Sequence, residues 1–223
     1  MYTAETVVLV HGLWMHGVAM RLMQSRLRRR GYHVLAYSYA TVRCDLTENA
    51  RRLAGYLGGL GGYVIHLVGH SMGGMVAVSA AQRLDPALRG RIVLCGSPYA
   101  DSLAGRRLQH YRGGGRLLGK CMAEWLHPAR VPLTADAGLD IGVIAGEGGI
   151  GLARLIAPAL PKPHDGVVAV AETYVPGMRD HIVLPVSHTE MLISRAVAHQ
   201  ACAFLAKGRF DRENLPALQR VVN

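Results

Sequence analysis

The pentapeptide Gly-His-Ser-Met-Gly at residues 69–73 combines residue types that support nucleophilic catalysis. The apolar run Val64–Val68 precedes it and predicts a buried strand, whereas the apolar stretch 75–81 follows it and predicts a buried helix. Between a strand and a helix, the glycines of a G-x-S-x-G pattern permit a sharp turn that exposes the serine hydroxyl at its tip. We therefore predict that Ser71 is a nucleophile.

A serine hydroxyl is a weak nucleophile and needs an adjacent base, which a third group usually orients. His188 follows the last predicted strand and is the expected base. Asp165 lies 23 residues before it, which gives the chain order serine, acid, histidine. We expect Asp165 to orient the imidazole of His188. Glu147 directly follows an earlier predicted strand and is the alternative acid.

Acyl transfer also needs two N–H donors that stabilise a developing oxyanion. Met72 follows the serine directly, and its backbone N–H is expected to be one donor. Leu13 follows His-Gly at the end of the first predicted strand, and its N–H is expected to be the other. Trp14 and Tyr99 adjoin strand ends in the sequence and are predicted to contact substrate, although either side chain also fits a core position.

Six short apolar runs predict strands, and helical patterns separate them. The runs are Thr6–Val10, His33–Tyr37, Val64–Val68, Arg91–Cys95, Asp140–Ala145 and His181–Pro185. Such alternation is typical of an α/β fold, in which a mostly parallel sheet carries helices on both faces and chemistry lies at the carboxyl ends of the strands. We predict one domain over residues 1–223, with a polar tail at 211–223. Residues 99–133 interrupt the alternation around a glycine triplet and predict a lid or cap.

The charge, the cysteines and the histidines argue against a nucleic-acid-binding protein and against a metal site. The formal net charge is +10, and the densest basic run, Arg26–Arg30, falls at the end of a predicted helix. We interpret this run as a solvated helix end rather than a nucleic-acid site, because no basic stretch is interleaved with aromatic residues. The four cysteines form no C-x-x-C pair, and the eleven histidines show no metal-ligand spacing. No secretory signal or membrane span is visible, so a cytoplasmic location is expected.

Together these motifs resemble α/β-hydrolases of the lipase and esterase kind. The resemblance rests on Val-Leu-Val-His-Gly at residues 8–12, Gly-His-Ser-Met-Gly-Gly at 69–74, Asp-Gly-Val-Val at 165–168, and His188 before the final helix. The chain is similar to bacterial lipases and to inositol-deacylase-like hydrolases from about Thr6 to Leu205. The resemblance implies a minimal six-stranded fold that lacks the family's first two strands. It also implies that strand 33–37 lies outside strand 6–10 and that the strand before Ser71 is central.

We therefore expect a serine hydrolase that cleaves carboxylic esters through an acyl-enzyme and requires no metal or cofactor. A thioesterase, acyltransferase or amidase on the same fold is the alternative, and a non-catalytic binding protein is an alternative of another class. The expected substrate is a small-molecule or lipid ester. Leucines and arginines of residues 99–133 predict a preference for esters longer than acetate and a weak attraction to anionic membrane surfaces. Nucleic acid is not an expected partner.

Overall fold

A single parallel sheet forms the centre of the molecule. The computed structural model describes residues 5–61, 64–128, 138–149 and 160–213. The strands are β1 (Thr6–Val10), β2 (His33–Tyr37), β3 (Ile65–His70), β4 (Arg89–Cys95), β5 (Ile141–Gly146) and β6 (Asp180–Leu184). They pair in the order β2-β1-β3-β4-β5-β6, and every pairing is parallel. The six strands, the position of β2 outside β1 and the central position of β3 confirm the predicted sheet.

Both faces of the sheet are apolar, which explains why its strands are nearly continuous apolar runs. Successive side chains of a strand point to opposite faces. In β1, Val8 and Val10 join one hydrophobic cluster, whereas Val7 and Leu9 join the other. All four side chains are fully buried. A sheet with this pattern must be covered by helices on both sides.

Six α-helices lie within the described ranges, and they supply that cover. They are α1 (Arg21–Arg28), α2 (Leu46–Gly58), α3 (Met72–Ala81), α4 (Leu103–His110), α5 (Gly114–Trp125) and α6 (Arg195–Lys207). Apolar residues of α2, α3 and α5 share one cluster with the sheet, and those of α1 and α6 share the cluster on the opposite face. In the described part of the chain, none of the helices has both the length and the apolar character that a membrane span requires.

Helix boundaries follow local capping more closely than hydrophobic periodicity. The Asp45 carboxylate accepts the backbone N–H of Glu48 at 2.8 Å, as expected for the N-cap of α2. The periodicity predicted a last helix over Glu190–Leu205. That prediction is wrong at its start, because Glu190–Leu192 forms a 3₁₀ turn and Ser194 caps α6 by accepting the N–H of Val197. The first predicted helix, from 18 to 30, likewise begins as a 3₁₀ turn at Gly17–Met20.

The segment predicted as a lid contains α4 and α5, and its residues 129–133 lie outside the described part of the chain, as do residues 214–223 of the predicted tail. Helix α5 is anchored to the sheet layer. The indole of Trp125 is buried and donates from Nε1 to the carbonyl of Pro98 at 3.0 Å. Gly119 has φ of +72°, and a Cβ there would lie 2.4 Å from the Cα of Val42. This close approach requires glycine and fixes α5 against the loop after β2.

Candidate active site

Ser71 lies at the sharp turn between β3 and α3. Its φ of 53° and ψ of −128° fall in a region that residues with a side chain rarely adopt. The backbone N–H of Ser71 donates to the carbonyl of Cys95 at 2.9 Å, which ties the turn to the end of β4. The strained conformation is therefore held by the neighbouring strand, as expected where a side chain must project from a turn.

The glycines around Ser71 are required by space. A Cβ on Gly69 would lie 2.5 Å from the Cα of Gly74, so strand and helix could not meet at this distance. A Cβ on Gly73 would lie 2.2 Å from the carbonyl oxygen of Val10. The turn thus packs α3 directly against the backbone of β1. The motif glycines serve this close packing, which is the reason the sequence pattern predicts the geometry.

His188 and Asp165 are brought together although 23 residues separate them. Nδ1 of His188 lies 2.7 Å from Oδ2 of Asp165, and the backbone N–H of His188 donates to the Asp165 carbonyl at 2.9 Å. The exposed fractions are 1% for Asp165 and 8% for His188. The other carboxylate oxygen, Oδ1, accepts the N–H groups of Val167 and Val168 at 2.9 and 2.7 Å. Asp165 is therefore a buried carboxylate whose two oxygens are both held by hydrogen bonds.

The contact with Asp165 determines which nitrogen of His188 is basic. An ionised carboxylate only accepts hydrogen bonds, so Nδ1 carries the proton and Nε2 is the free base. His188 and Ser71 line the same pocket. The arrangement can therefore supply a base, an orienting anion and a hydroxyl to one cavity.

His70 supports the other side of His188. Its Nε2 lies 3.0 Å from the carbonyl oxygen of His188, and the two ring centroids are 4.8 Å apart. Since a carbonyl only accepts, Nε2 of His70 is protonated and donates. Burial, with a further contribution from the neighbouring His188, lowers the pKa of His70 to about 3. His70 is consequently a neutral donor that holds the backbone of His188, a role that the sequence analysis did not assign.

The loop after β1 is shaped by His11, which is fully buried. Nδ1 of His11 donates to the carbonyl of Gly12 at 2.9 Å, Nε2 accepts the N–H of Tyr39 at 3.3 Å, and the two rings stack. Burial lowers the pKa of His11 and so favours this neutral form. Leu13, in this loop, and Met72 both line the pocket. The two backbones predicted to supply oxyanion donors therefore flank the same cavity.

The pocket has a volume of about 230 Å³ and mostly apolar walls. Apart from the site residues, its apolar lining consists of Met15, Pro98, Ala104, Leu108, Leu118, Met122, Val167 and Val168. Trp14 also lines it, is 53% exposed, and donates from Nε1 to the carbonyl of Leu117 in α5 at 2.7 Å. Trp14 and Met15 also line a second, more open cleft, which includes Ser38 and Thr41 and is less apolar than the pocket at Ser71.

Two residues that were predicted from the sequence, Tyr99 and Glu147, do not line the pocket at Ser71. Tyr99 is 3% exposed and packs edge-on against Trp125 at a centroid distance of 5.6 Å, away from the pocket lining. The prediction of a substrate contact for Tyr99 is at odds with this core position, because adjacency to a strand end does not determine where a side chain points. Glu147 is exposed at the end of β5, where its N–H donates to Leu184, whereas Asp165 is the carboxylate that meets His188.

Two further residues support the site without an obvious sequence signal. Gly96 has φ of +57°, and a Cβ there would lie 3.0 Å from Oδ2 of Asp165 and 3.1 Å from Nδ1 of His188. A side chain at this position would displace the pair. Glu172 accepts the N–H groups of Leu103 and Ala169 at 2.5 and 2.8 Å, which joins the start of α4 to the loop that carries Asp165. Burial raises the pKa of Glu172.

Comparison with known proteins supports the fold described above and identifies its family. The model of the alpha/beta hydrolase family matches residues 7–217. The chain belongs to the alpha/beta hydrolase family. This confirms the resemblance inferred from the motifs at residues 8–12, 69–74 and 165–168. The six-stranded sheet is the expected fold of this family, and α4 and α5 follow β4 in the chain.

Individual relatives of this alpha/beta hydrolase are distant. A carbendazim hydrolyzing esterase from Nocardioides sp. (strain SG-4G) is 33% identical over 96 residues, which is 39% of this chain and 40% of that protein. The chain therefore matches less than half the length of this relative. The mature lipase BlEst2 of Bacillus licheniformis superposes with a TM-score of 0.70 at 17% identity, over 93% of both chains. A carboxylesterase of Bacillus subtilis superposes with a TM-score of 0.59 at 15% identity, over 93% of this chain and 85% of that one.

Proposed function

We propose that this alpha/beta hydrolase cleaves carboxylic esters through a covalent acyl-enzyme on Ser71. One observation carries the proposal: Ser71, on a strained turn, opens into the same pocket as His188, whose Nδ1 lies 2.7 Å from the buried Asp165. A hydroxyl, an imidazole and a carboxylate in this order are the requirements for acyl transfer. Esterase and lipase neighbours support an ester as the substrate.

In the proposed reaction, Nε2 of His188 takes the proton of Ser71 as its Oγ attacks the ester carbonyl. Asp165 keeps the imidazole in the required tautomer and stabilises the imidazolium that forms. The N–H groups of Leu13 and Met72 stabilise the tetrahedral oxyanion. His188 then protonates the leaving alcohol, and a water activated by the same nitrogen releases the acid. None of these steps requires a metal or another cofactor.

The two cavities beside Trp14 suggest how the ester is oriented. The apolar pocket at Ser71 suits an acyl chain, because each buried methylene contributes up to about 0.8 kcal/mol. The second cleft that Trp14 borders is more polar than this pocket and suits the alcohol part. We therefore infer a preference for acyl chains longer than acetate, until the chain fills the apolar pocket.

The experiment measures kcat/KM for p-nitrophenyl esters of increasing acyl length with the wild type and Ser71→Ala. We expect kcat/KM to rise above acetate by up to about fourfold per methylene and then to level off. Ser71→Ala should lower it by about 1000-fold or more, because removal of the nucleophile abolishes the acyl-enzyme. Ser25→Ala, on α1, is the matched control and should keep wild-type activity. Retention of more than about a tenth of kcat/KM in Ser71→Ala would refute the proposal.

A further inference from the structure

A second concave site lies between α1 and α6. It is a recess of about 320 Å³, and none of its lining residues belongs to the pocket at Ser71. Its lining consists of Arg26, Arg29, Arg30, Arg195, Ala198, His199 and Cys202. The proposed ester chemistry uses none of these residues, so the recess needs a separate explanation.

The spacing of these residues shows how the recess is built. Arg26 lies in the last turn of α1, and Arg29 and Arg30 follow directly after its end. The lining residues of α6, from Arg195 to Cys202, are three and four positions apart and so share one face of that helix. The C-terminal end of α1 and one face of α6 therefore both contribute arginines to the recess.

The recess carries a positive charge that nearby acids do not balance. Within the described ranges, none of the four arginines forms an ion pair with a carboxylate. The nearest acidic contact is that of Asp211 with Nε2 of His199, at 2.9 Å. Arg26 donates to the carbonyl of Ile193, and burial together with the charges of Arg195 and Arg29 lowers the pKa of Arg26. The guanidinium group of Arg26 is thus partly desolvated and is repelled by those of Arg195 and Arg29.

The interpretation of the basic run 26–30 as a solvated helix end explains the arginines at the end of α1 but not Arg195. Cations at the end of α1 are favoured by the negative end of its dipole. Arg195 is different, because it is the first residue of α6, where the dipole is positive and a cation is unfavourable. An anion in the recess would compensate both the arginine cluster and the start of α6.

We propose that this recess binds a phosphate group, held by Arg26, Arg29 and Arg30 at the C-terminal end of α1 and by Arg195 of α6. Guanidinium groups suit phosphate because each can donate two parallel hydrogen bonds to the phosphate oxygens. The phosphate is either part of a soluble phosphorylated molecule or the headgroup of an anionic lipid. The proposal is independent of the ester chemistry at Ser71.

The first experiment titrates pyrophosphate into the wild-type protein at constant ionic strength and follows Tm. We expect a saturable rise in Tm, since a ligand that binds only the folded state stabilises it. Arg30→Gln/Arg195→Gln should weaken binding by about tenfold or more, because charge-assisted hydrogen bonds are lost from both walls. Arg112→Gln/Arg116→Gln removes the same charge from exposed positions of the cap and should bind like the wild type. Absence of a saturable rise, or equal losses in both double variants, would overturn the proposal.

The second experiment separates the two sources of phosphate by co-sedimentation with phosphatidylcholine vesicles, with and without phosphatidate. Binding to phosphatidate that pyrophosphate displaces and that the recess variant lacks would indicate a lipid headgroup. Pyrophosphate binding without vesicle binding would indicate a soluble ligand. Both results support a phosphate site in the recess. Vesicle binding that persists in Arg30→Gln/Arg195→Gln but is lost in the cap variant would place the anionic contact on α5 instead and contradict the proposal.

Discussion

Ser71 and Trp14 are the non-glycine residues of the described chain with a positive φ, and Ser71 adopts a conformation that is rare for a residue with a side chain. A conformation of this kind typically costs about 1–3 kcal/mol and persists only where the surroundings enforce it. Here the surroundings are the hydrogen bond to Cys95 and the close packing of Gly69 and Gly73. The G-x-S-x-G pattern predicted this turn from the sequence because it records the same steric requirement.

A site residue could be predicted from the sequence only where a residue type suited to the chemistry also stands just after a predicted strand. Ser71, Asp165 and His188 satisfy that condition. His70 and Gly96 do not, because their contacts with His188 depend on how two distant loops meet. Tyr99 satisfies the condition but points into the core, since the sequence does not determine the direction of its side chain.

The two candidate acids can be separated by substitution. Asp165→Asn should lower kcat by about 10³–10⁴-fold, because an amide that donates to Nδ1 favours the wrong imidazole tautomer. Glu147→Gln should leave kcat nearly unchanged, because Glu147 is exposed and Asp165 is the acid beside His188. Steady-state hydrolysis of one p-nitrophenyl ester compares both variants. A larger loss in Glu147→Gln would assign the acid to the end of β5.

His70 makes stability depend on pH in a defined direction. Its pKa is about 3 in the folded protein and 6.5 in the unfolded reference, so the unfolded chain binds the extra proton between these values. The free energy of unfolding should therefore fall as the pH decreases below about 6.5, by roughly 2 kcal/mol at about pH 5 from this group alone. His70→Gln keeps a donor for the His188 carbonyl but does not titrate. Urea unfolding at several pH values should show a shallower loss for His70→Gln, and an unchanged slope would contradict the assignment.

At the scale of elements, the critical contact is that of α3 with β1. Capping and periodicity predicted most helices and strands, but they did not predict the 3₁₀ turns at Gly17–Met20 and Glu190–Leu192. Those turns result from tertiary packing and local caps, which a hydrophobic pattern does not contain. The close approach of Gly73 to β1 also depends on tertiary packing, although the G-x-S-x-G motif predicts it.

Two glycine substitutions should have opposite effects on stability. Gly73→Ala should destabilise the protein by about 3 kcal/mol or more, because its Cβ would meet the rigid backbone of β1 at the carbonyls of Val10 and His11. Gly55→Ala, inside α2 with no atom within 4 Å of the new Cβ, should stabilise it by about 0.5–1 kcal/mol. Equilibrium denaturation measures both changes. Similar effects of the two substitutions would show that α3 can move away from β1.

At the scale of the whole molecule, the hydrolase has two candidate sites of different chemistry. The apolar pocket with Ser71 and His188 lies at the carboxyl ends of the strands, where the parallel sheet predicts it. The arginine recess lies between the two helices of the opposite face. The sequence showed the basic run at 26–30 but not its partner Arg195, because the two are brought together only by the packing of α1 on α6.

Formation of a covalent bond to Ser71 is the step on which the proposed mechanism depends most directly. The decisive measurement is the mass of the intact protein after treatment with a fluorophosphonate, followed by peptide mapping of the adduct. We predict that the wild type gains one phosphonyl group per chain at Ser71. Ser71→Ala should gain none, and Asp165→Asn should react much more slowly because its imidazole is no longer held as a base. Labelling of Ser71→Ala to the same extent as the wild type, or an adduct on another residue, would contradict the central claim.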